Sequence, residues 1–224
     1  ERDTLRNYIK LLAVITVIFF MYSCSNEQKP KEQNDNLPPR SEKVNNEKAE
    51  IVDPEVVEKY DFRLAKWGMS KEEVMESERT EPVLKSDNTL DYSIIIMKMQ
   101  TQIGYTFKDN ELIRAGFFFL TKPETKNEYI DNYLKIKEDL IKVNGEPVLD
   151  TIKQKDPSKE IDPFNMGQAV CDGDMIYASQ WDLPATAIQL VLRGENSECV
   201  LTILYLSEEG MRQMLKDNLE KQGS

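Results

Sequence analysis

One four-residue string occurs twice in this chain, as Glu81-Pro82-Val83-Leu84 and again as Glu146-Pro147-Val148-Leu149, and each copy closes a helical pattern opened by a capping box. In the first, Ser70 precedes Glu73 by three residues, so the hydroxyl can accept from the Glu73 N–H while the carboxylate reaches back to the Ser70 N–H, and Met69 and Val74 take the two staple positions. In the second, Thr125 and Glu128 have the same spacing. A pattern that returns with its punctuation intact implies a duplicated unit. The first helix is expected over Lys71 to about Arg79. The second, Lys126 to Val143, is the longest, with Ile130, Tyr133, Leu134, Leu140 and Ile141 on one face. Asn144 and Gly145 end it, and Pro147 prevents its resuming.

Strand signals follow each string. Leu90 to Met99, Gln102 to Lys108 and Leu112 to Leu120 form the first set; Ile103, Tyr105 and Phe107 alternate with Gly104, Thr106 and Lys108, the period-2 mark of a half-buried strand. Lys108 to Glu111 makes the turn into the third strand. The second set is expected at about Met175 to Asp182, Thr186 to Arg193 and Cys199 to Leu206, with Gly194, Glu195, Asn196 and Ser197 as its turn. A polar loop, 150–169, separates the second string from these strands; a loop of that length is functional or mobile. Ser207 is placed to cap a last helix through about Lys221, with Met211, Met214, Leu215 and Leu219 inward. The expected fold is α+β: a tandem repeat of a helix plus a three-stranded antiparallel meander, with the helices on one face of a shared sheet and the other face at least partly open. The first repeat covers 51–121, including an amphipathic lead-in, Ile51 to Tyr60, and then Phe62, Leu64 and Trp67, which dock against it with Trp67 buried by ordinary packing. The second repeat covers 122–224.

The N-terminal part reads differently. Arg2, Arg6 and Lys10 precede an apolar run from Leu11 to Tyr22 that ends at Ser23-Cys24. About a dozen apolar residues fit a signal-peptide core and fall short of the ~20 a spanning helix needs. Residues 1–23 are thus expected to be a lipoprotein signal peptide, since Met21-Tyr22-Ser23-Cys24 is similar to a bacterial lipobox and Cys24 would be the lipidated new N-terminus. Residues 24–50 would then be a disordered tether, rich in Asn, Gln, Glu, Lys and Pro. About 26 such residues span about 30 Å. The body is expected outside the cytoplasm, anchored to the cell membrane or an outer membrane.

The charge balance is −11 with no histidine among 224 residues. Acidity argues against nucleic acid and against a polybasic membrane contact. The missing histidine removes the commonest general base and zinc ligand, and with them serine-histidine and cysteine-histidine hydrolases. Cys171 and Cys199 are left as an even pair in an exported protein, a possible disulfide closing about 29 residues; two buried thiols are the alternative. Asp172 and Asp174, with Asp150, Asp156 and Asp162, offer oxygens but no EF-hand spacing, so no metal and no cofactor is expected. Glu72, Glu73 and Glu76 lie on one helix turn with Glu73 already capping, which argues against a carboxylate-pair hydrolase.

The run Trp-Gly-Met-Ser-x-Glu-Glu-Val at Trp67 to Val74, with a following proline and the strand-turn Tyr105-Thr-Phe-Lys-Asp-Asn-Glu-Leu112, resembles the SmpA/OmlA-type small lipoproteins. The tandem arrangement is similar to the β-lactamase inhibitor protein family, whose two repeats share one curved sheet. The resemblance implies partner recognition on the exposed sheet face or its loops. On the sheet and its loops the candidate contact residues are Thr106, Lys108, Trp181, Gln189 and Arg193, with Trp181 read first as core or edge packing and otherwise as an aromatic contact on the open face. The expected function is a non-catalytic, lipid-anchored protein-binding or scaffold protein of the bacterial envelope. An inhibitor of an exported enzyme is the alternative from the same fold, and a carboxylate-dependent hydrolase the alternative from another class.

Overall fold

A computed structural model describes residues 60–222; Cys24, the segment 1–50 and the lead-in residues 51–59 lie outside the described residues. The first helix, α1 (Lys71–Glu78), carries both bonds of its capping box: the Glu73 N–H donates to Ser70 Oγ, and the Ser70 N–H donates to the Glu73 carboxylate at 2.7 Å. Arg79 adopts φ 55° and stops it, a left-handed ending that glycine usually supplies. The chain then enters β1 (Leu84–Lys85), β2 (Thr89–Ile96), β3 (Met99–Lys108) and β4 (Glu111–Phe119). After α2 (Glu128–Asn144) come β5 (Leu149–Gln154), a 3-10 turn (Pro163–Asn165), α3 (Met166–Cys171), β6 (Met175–Asp182), β7 (Ala187–Glu195), β8 (Glu198–Leu206) and α4 (Glu208–Gln222).

The eight strands form a single antiparallel sheet in the order β1-β2-β3-β4-β8-β7-β6-β5. The fold is therefore α+β. Each set has four strands rather than three, because both Glu-Pro-Val-Leu strings lead into an outermost strand. The Val83 N–H donates to the Asp91 carbonyl at 2.7 Å and the Val148 N–H to the Gln180 carbonyl at 2.8 Å, so each string docks onto the strand beside it. Segment 150–169 is accordingly not a continuous loop: it holds most of β5, the 3-10 turn and the start of α3. The β2–β3 connection is a two-residue turn at Met97-Lys98, with φ 51° and 64°, which shortens the first expected strand and lengthens the second. Asp109-Asn110 and Asn196-Ser197 make the same kind of turn, matching the right-handed strand twist.

Strand register sorts the side chains by face. One face carries Leu90, Tyr92, Ile103 and Tyr105, which with Val74 of α1 and Phe62 form one core cluster. Farther along the same face Tyr177, Trp181, Ile188, Leu190, Leu201 and Ile203 pack with Tyr133, Ile136 and Leu140 of α2 and Val170 of α3. Phe117 and Tyr205, on β4 and β8 at the centre of the sheet, touch both clusters, and the Phe62 ring lies 4.9 Å from each. The segment before α1 is thus pinned at the seam between the two sets of strands, and the Trp67 indole N–H, partly buried, donates to Thr186 Oγ1 at 2.9 Å.

Three side chains expected inward are not. Leu134 and Leu219 are exposed, and so is Leu64. On α4 the inward place is taken by Asn218 and Met214. The expectation that all helices share one face also fails. Met214 packs with Ala187 and Leu206, whose side chains point to the opposite side from Ile203 and Leu190, so α4 covers part of the second face. At the start of α2 the expected capping box is only half made. The Thr125 N–H and hydroxyl both donate to the Glu128 carboxylate, while the helix begins after Asn127, whose side chain makes no cap bond.

Candidate functional site

The five expected contact residues separate. Trp181 lies on the helix-bearing face, 1 % exposed, with its indole N–H donating to the Gly145 carbonyl at 2.8 Å; it is core and cannot meet a partner. Gln189 is on the second face but only 2 % exposed, because it sits mid-sheet on β7 and its amide donates to Gln180 Oε1, whose own amide donates to Asp182. Arg193 is mostly buried and paired with Glu195 at 2.7 Å, its Nε enclosed without a partner. Thr106 and Lys108 come together at one corner of the second face, where α4 crosses the ends of β3 and β4. Lys108 Nζ is 2.6 Å from Glu209 Oε1 on α4.

That corner holds a cavity of about 370 Å³, open to solvent, between β3, β4 and α4. It exists because the β3–β4 register slips: Thr106 pairs with Arg114 but Phe107 pairs with Leu112, leaving Ile113 as an extra residue. A bulge bends its strand and redirects side chains. Here the bulged Ile113 carbonyl accepts from both the N–H and the hydroxyl of Ser207, at 3.0 and 2.8 Å, and so holds the residue that caps α4. Ser207 Oγ in turn accepts from the Gly210 N–H at 2.9 Å. Gly210 is required at this crossing, since a Cβ there would collide with the Ile113 carbonyl. Arg114 turns its guanidinium into the cavity, where burial pushes its pKa down against the pull of Asp217. Asp217 accepts a hydrogen bond from the Gln213 amide at 2.7 Å. Reading contact residues off the sequence overlooked Arg114. The signal was present: it is the one cation in the otherwise apolar run Leu112 to Leu120.

Two networks hold ionisable groups of the helix-bearing face, while the buried Tyr92 hydroxyl stands outside both without a partner. Arg63 holds Glu78 bidentately, at 2.9 Å on each oxygen, and the Tyr105 hydroxyl also donates to Glu78. Burial, then Glu78, holds the Tyr105 phenol far above the usual tyrosine range. In the other half the Tyr133 hydroxyl meets Ser179 Oγ at 2.6 Å, Ser179 donates to Asp150 at 2.7 Å, and Lys137 Nζ is 2.9 Å from the other Asp150 oxygen. Burial works against the Asp150 charge, but the hydrogen bonds from Ser179 and Lys137 and the Lys137 charge outweigh it, so its pKa is lowered. Ser179 is 1 % exposed, so no substrate reaches its hydroxyl. Glu72 and Glu73 have lowered pKa values, set first by backbone hydrogen bonds of the α1 start. Asp156, Asp162, Asp172 and Asp174 each engage a separate neighbour, and among the described residues no three acidic or cysteine side chains gather as a metal set.

A disulfide joins Cys171, the last residue of α3, to Cys199 near the start of β8. No protein-family model matches the chain, and no curated protein or solved structure matches it. Among the described residues no helix is long and apolar enough to cross a membrane.

The two ends of the sheet differ. β1 is two residues long, whereas β5 has six and pairs only with β6. Val148 and Ile152, two apolar residues on the same side of this outer strand and its approach, are 64 % and 58 % exposed.

Proposed function

We propose that this chain is a non-catalytic, lipid-anchored, extracytoplasmic protein-binding or scaffold protein of the bacterial cell envelope. In this reading its body is two copies of one helix-plus-meander unit, similar to the SmpA/OmlA-type lipoproteins and the β-lactamase inhibitor protein family. The mirrored strand order and the matching Val83 and Val148 hydrogen bonds support duplication. The N-terminal apolar run ending at Cys24 supports the anchor.

The observation that carries a binding role is the outer edge of β5. An edge strand presents a row of backbone donors and acceptors, and proteins usually blunt it by shortening it or covering it. Both ends expose apolar residues, Val83 and Leu84 at one and Val148 and Ile152 at the other, but the first is blunted to the two residues of β1 while the second keeps six. Main-chain pairing with alternate side-chain contacts is the physics of strand addition. The two networks favour binding over turnover, because their carboxylates, Glu78 and Asp150, are already engaged by fixed partners.

The test is a photo-crosslinking amino acid at Ile152 in the intact, membrane-bound chain. The expected result is a discrete adduct with one envelope protein, absent when the same group stands at exposed Lys135 on α2. Equal adduct patterns from both positions would reject the edge as the contact. If the adduct is an exported enzyme that loses activity on binding, the protein is its inhibitor.

A further inference from the structure

We propose that the cavity between β3, β4 and α4 is a binding site for a small amphiphilic monocarboxylate, with the head on Arg114 and a short apolar tail against Ile113 and Met214. A guanidinium offers five N–H donors in a fixed fork that matches a carboxylate bidentately. Arg114 spends little of this capacity: its Nε and Nη2 both approach one oxygen, Thr106 Oγ1, at 3.4 Å, the outer limit of a hydrogen bond. Among the described residues no carboxylate makes an ion pair with it. Of the other described arginines, only exposed Arg79 also lacks a carboxylate, and its guanidinium needs none because water can solvate it. Arg63, Arg193 and Arg212 each hold a carboxylate at 3.0 Å or less. A partly desolvated cation that keeps its fork open, at the wall of a cavity, is unusual and costly unless a further partner completes it.

The surrounding charges narrow the ligand class. Lys108 at the mouth is tied to Glu209, and Asp109 and Asp217 also line the cavity. With Glu209 counted, three carboxylates stand against two cations, so repulsion of an anion grows with its charge and weighs more on a phosphate dianion than on a monoanion. A single carboxylate needs only the local fork of Arg114. The volume, about 370 Å³, falls at the small end of ligand pockets, which run from about 300 to 1,000 Å³. The apolar wall is set by the bulge, which brings Ile113 alongside Met214. Two sources share this chemistry: a free short-chain carboxylic acid and the C-terminal carboxylate of a peptide ending in an apolar residue.

The test is a heteronuclear NMR titration of the intact chain, following the Arg114 Nε–Hε and Gly210 amide signals. Octanoate probes the free acid; N-acetyl-Ala-Ala-Leu with a free C-terminus, and its C-terminal amide, probe the peptide. The expected result is a saturable shift of both signals with octanoate, with the free peptide, or with both, which also identifies the source. Arg114→Gln should weaken it at least tenfold, and Arg114→Lys should fall between. Methyl octanoate and the peptide amide should bind at least tenfold more weakly to the unchanged protein, a comparison that does not depend on any variant folding. No saturation by either carboxylate at 5 mM overturns the proposal. Equal binding of the ester and amide overturns the role of the head group, and an equal response to inorganic phosphate overturns the assigned ligand class.

Discussion

Breaking the Cys171–Cys199 bond should destabilise the protein by an amount calculable from chain connectivity. The two residues are 28 apart. For a closed loop of about 29 residues, −2.1 − 1.5R ln n gives about −12 cal/mol/K, or about 3.6 kcal/mol at 25 °C. The described body has 163 residues, for which an unfolding entropy near 2.1 cal/mol/K per residue converts that figure to a drop in Tm of about 10 °C. The assay is chemical and thermal unfolding of the oxidised protein, the same protein in reductant, and a Cys171→Ala/Cys199→Ala variant with and without reductant. Alanine is used because Cys171 is fully buried, and serine would add an unpaired hydroxyl. Reductant should cost the parent 3 to 4 kcal/mol by this estimate and leave the double variant unmoved. A change under about 1 kcal/mol in the parent would refute the loop-entropy reasoning. Two titratable thiols in unreduced denatured protein whose Cys24 sulfur carries the lipid would refute the bond itself.

Gly194→Ala should be among the most damaging single changes, about 3 kcal/mol, because a Cβ at that point of β7 would collide with the Val170 and Cys171 carbonyl oxygens of α3; Gly68→Ala, with open space but φ 84°, should cost only about 1 to 2 kcal/mol by denaturant unfolding. Ser179→Ala should cost about 1 to 3 kcal/mol, since it leaves the buried Tyr133 hydroxyl without its partner. Asp150 has a lowered folded pKa, so its contribution is present above the unfolded value near 3.9 and is lost as pH falls through that region; Asp150→Asn should flatten the acid limb of a stability–pH curve below about pH 5. The Tyr105 and Tyr133 phenols are raised by burial, so the fold loses stability as pH climbs past the unfolded value near 10; absorbance at alkaline pH should show both ionising only as the protein unfolds.

Much of the fold was legible because its signals are local. Ser70 with Glu73 marks a helix start by two hydrogen bonds within four residues, and the alternation through Ile103, Tyr105 and Phe107 needs only one buried face. The misses have a common cause: information that only the assembled sheet holds. Leu84-Lys85 and Leu149 to Gln154 lack a clear apolar stripe because an outer strand is not buried on both sides. Met97-Lys98 contains none of the residues that announce a two-residue turn; β2 and β3 impose left-handed conformations on them. Leu134 and Leu219 fit a helical stripe, but the sheet's shape decides where the stripe ends, and on α4 Asn218 occupies the inward place. The cavity at Arg114 depends on a bulge, and a bulge is a mismatch between two strands that neither strand declares alone.

The same order of strands argues about what β5 pairs with. Because β4 and β8 meet at the centre, each Glu-Pro-Val-Leu string ends at the rim, and a second copy of the chain is the first competitor for the open edge. Antiparallel pairing about a two-fold axis that keeps the helix-bearing faces together joins residues of equal parity, since a one-residue slip reverses every side chain. An axis through Asp150 sets that carboxylate against itself, and one through Lys153 sets ammonium against ammonium. An axis through Thr151 places Asp150 opposite Ile152 and Leu149 opposite Lys153, charge against apolar in both cases. The axis through Ile152 sets Thr151 opposite Lys153 and Asp150 opposite Gln154 with one apolar pair, but at the strand end it again meets apolar with charge, Leu149 opposite Lys155. Cross-strand pairs each contribute about 0.2 to 1 kcal/mol, so self-pairing gains little in any of these four registers. A different strand, with apolar residues facing Val148 and Ile152 and a polar residue between them opposite the Lys137-bound Asp150, satisfies every position at once. The edge is therefore better matched to a foreign partner than to its own copy.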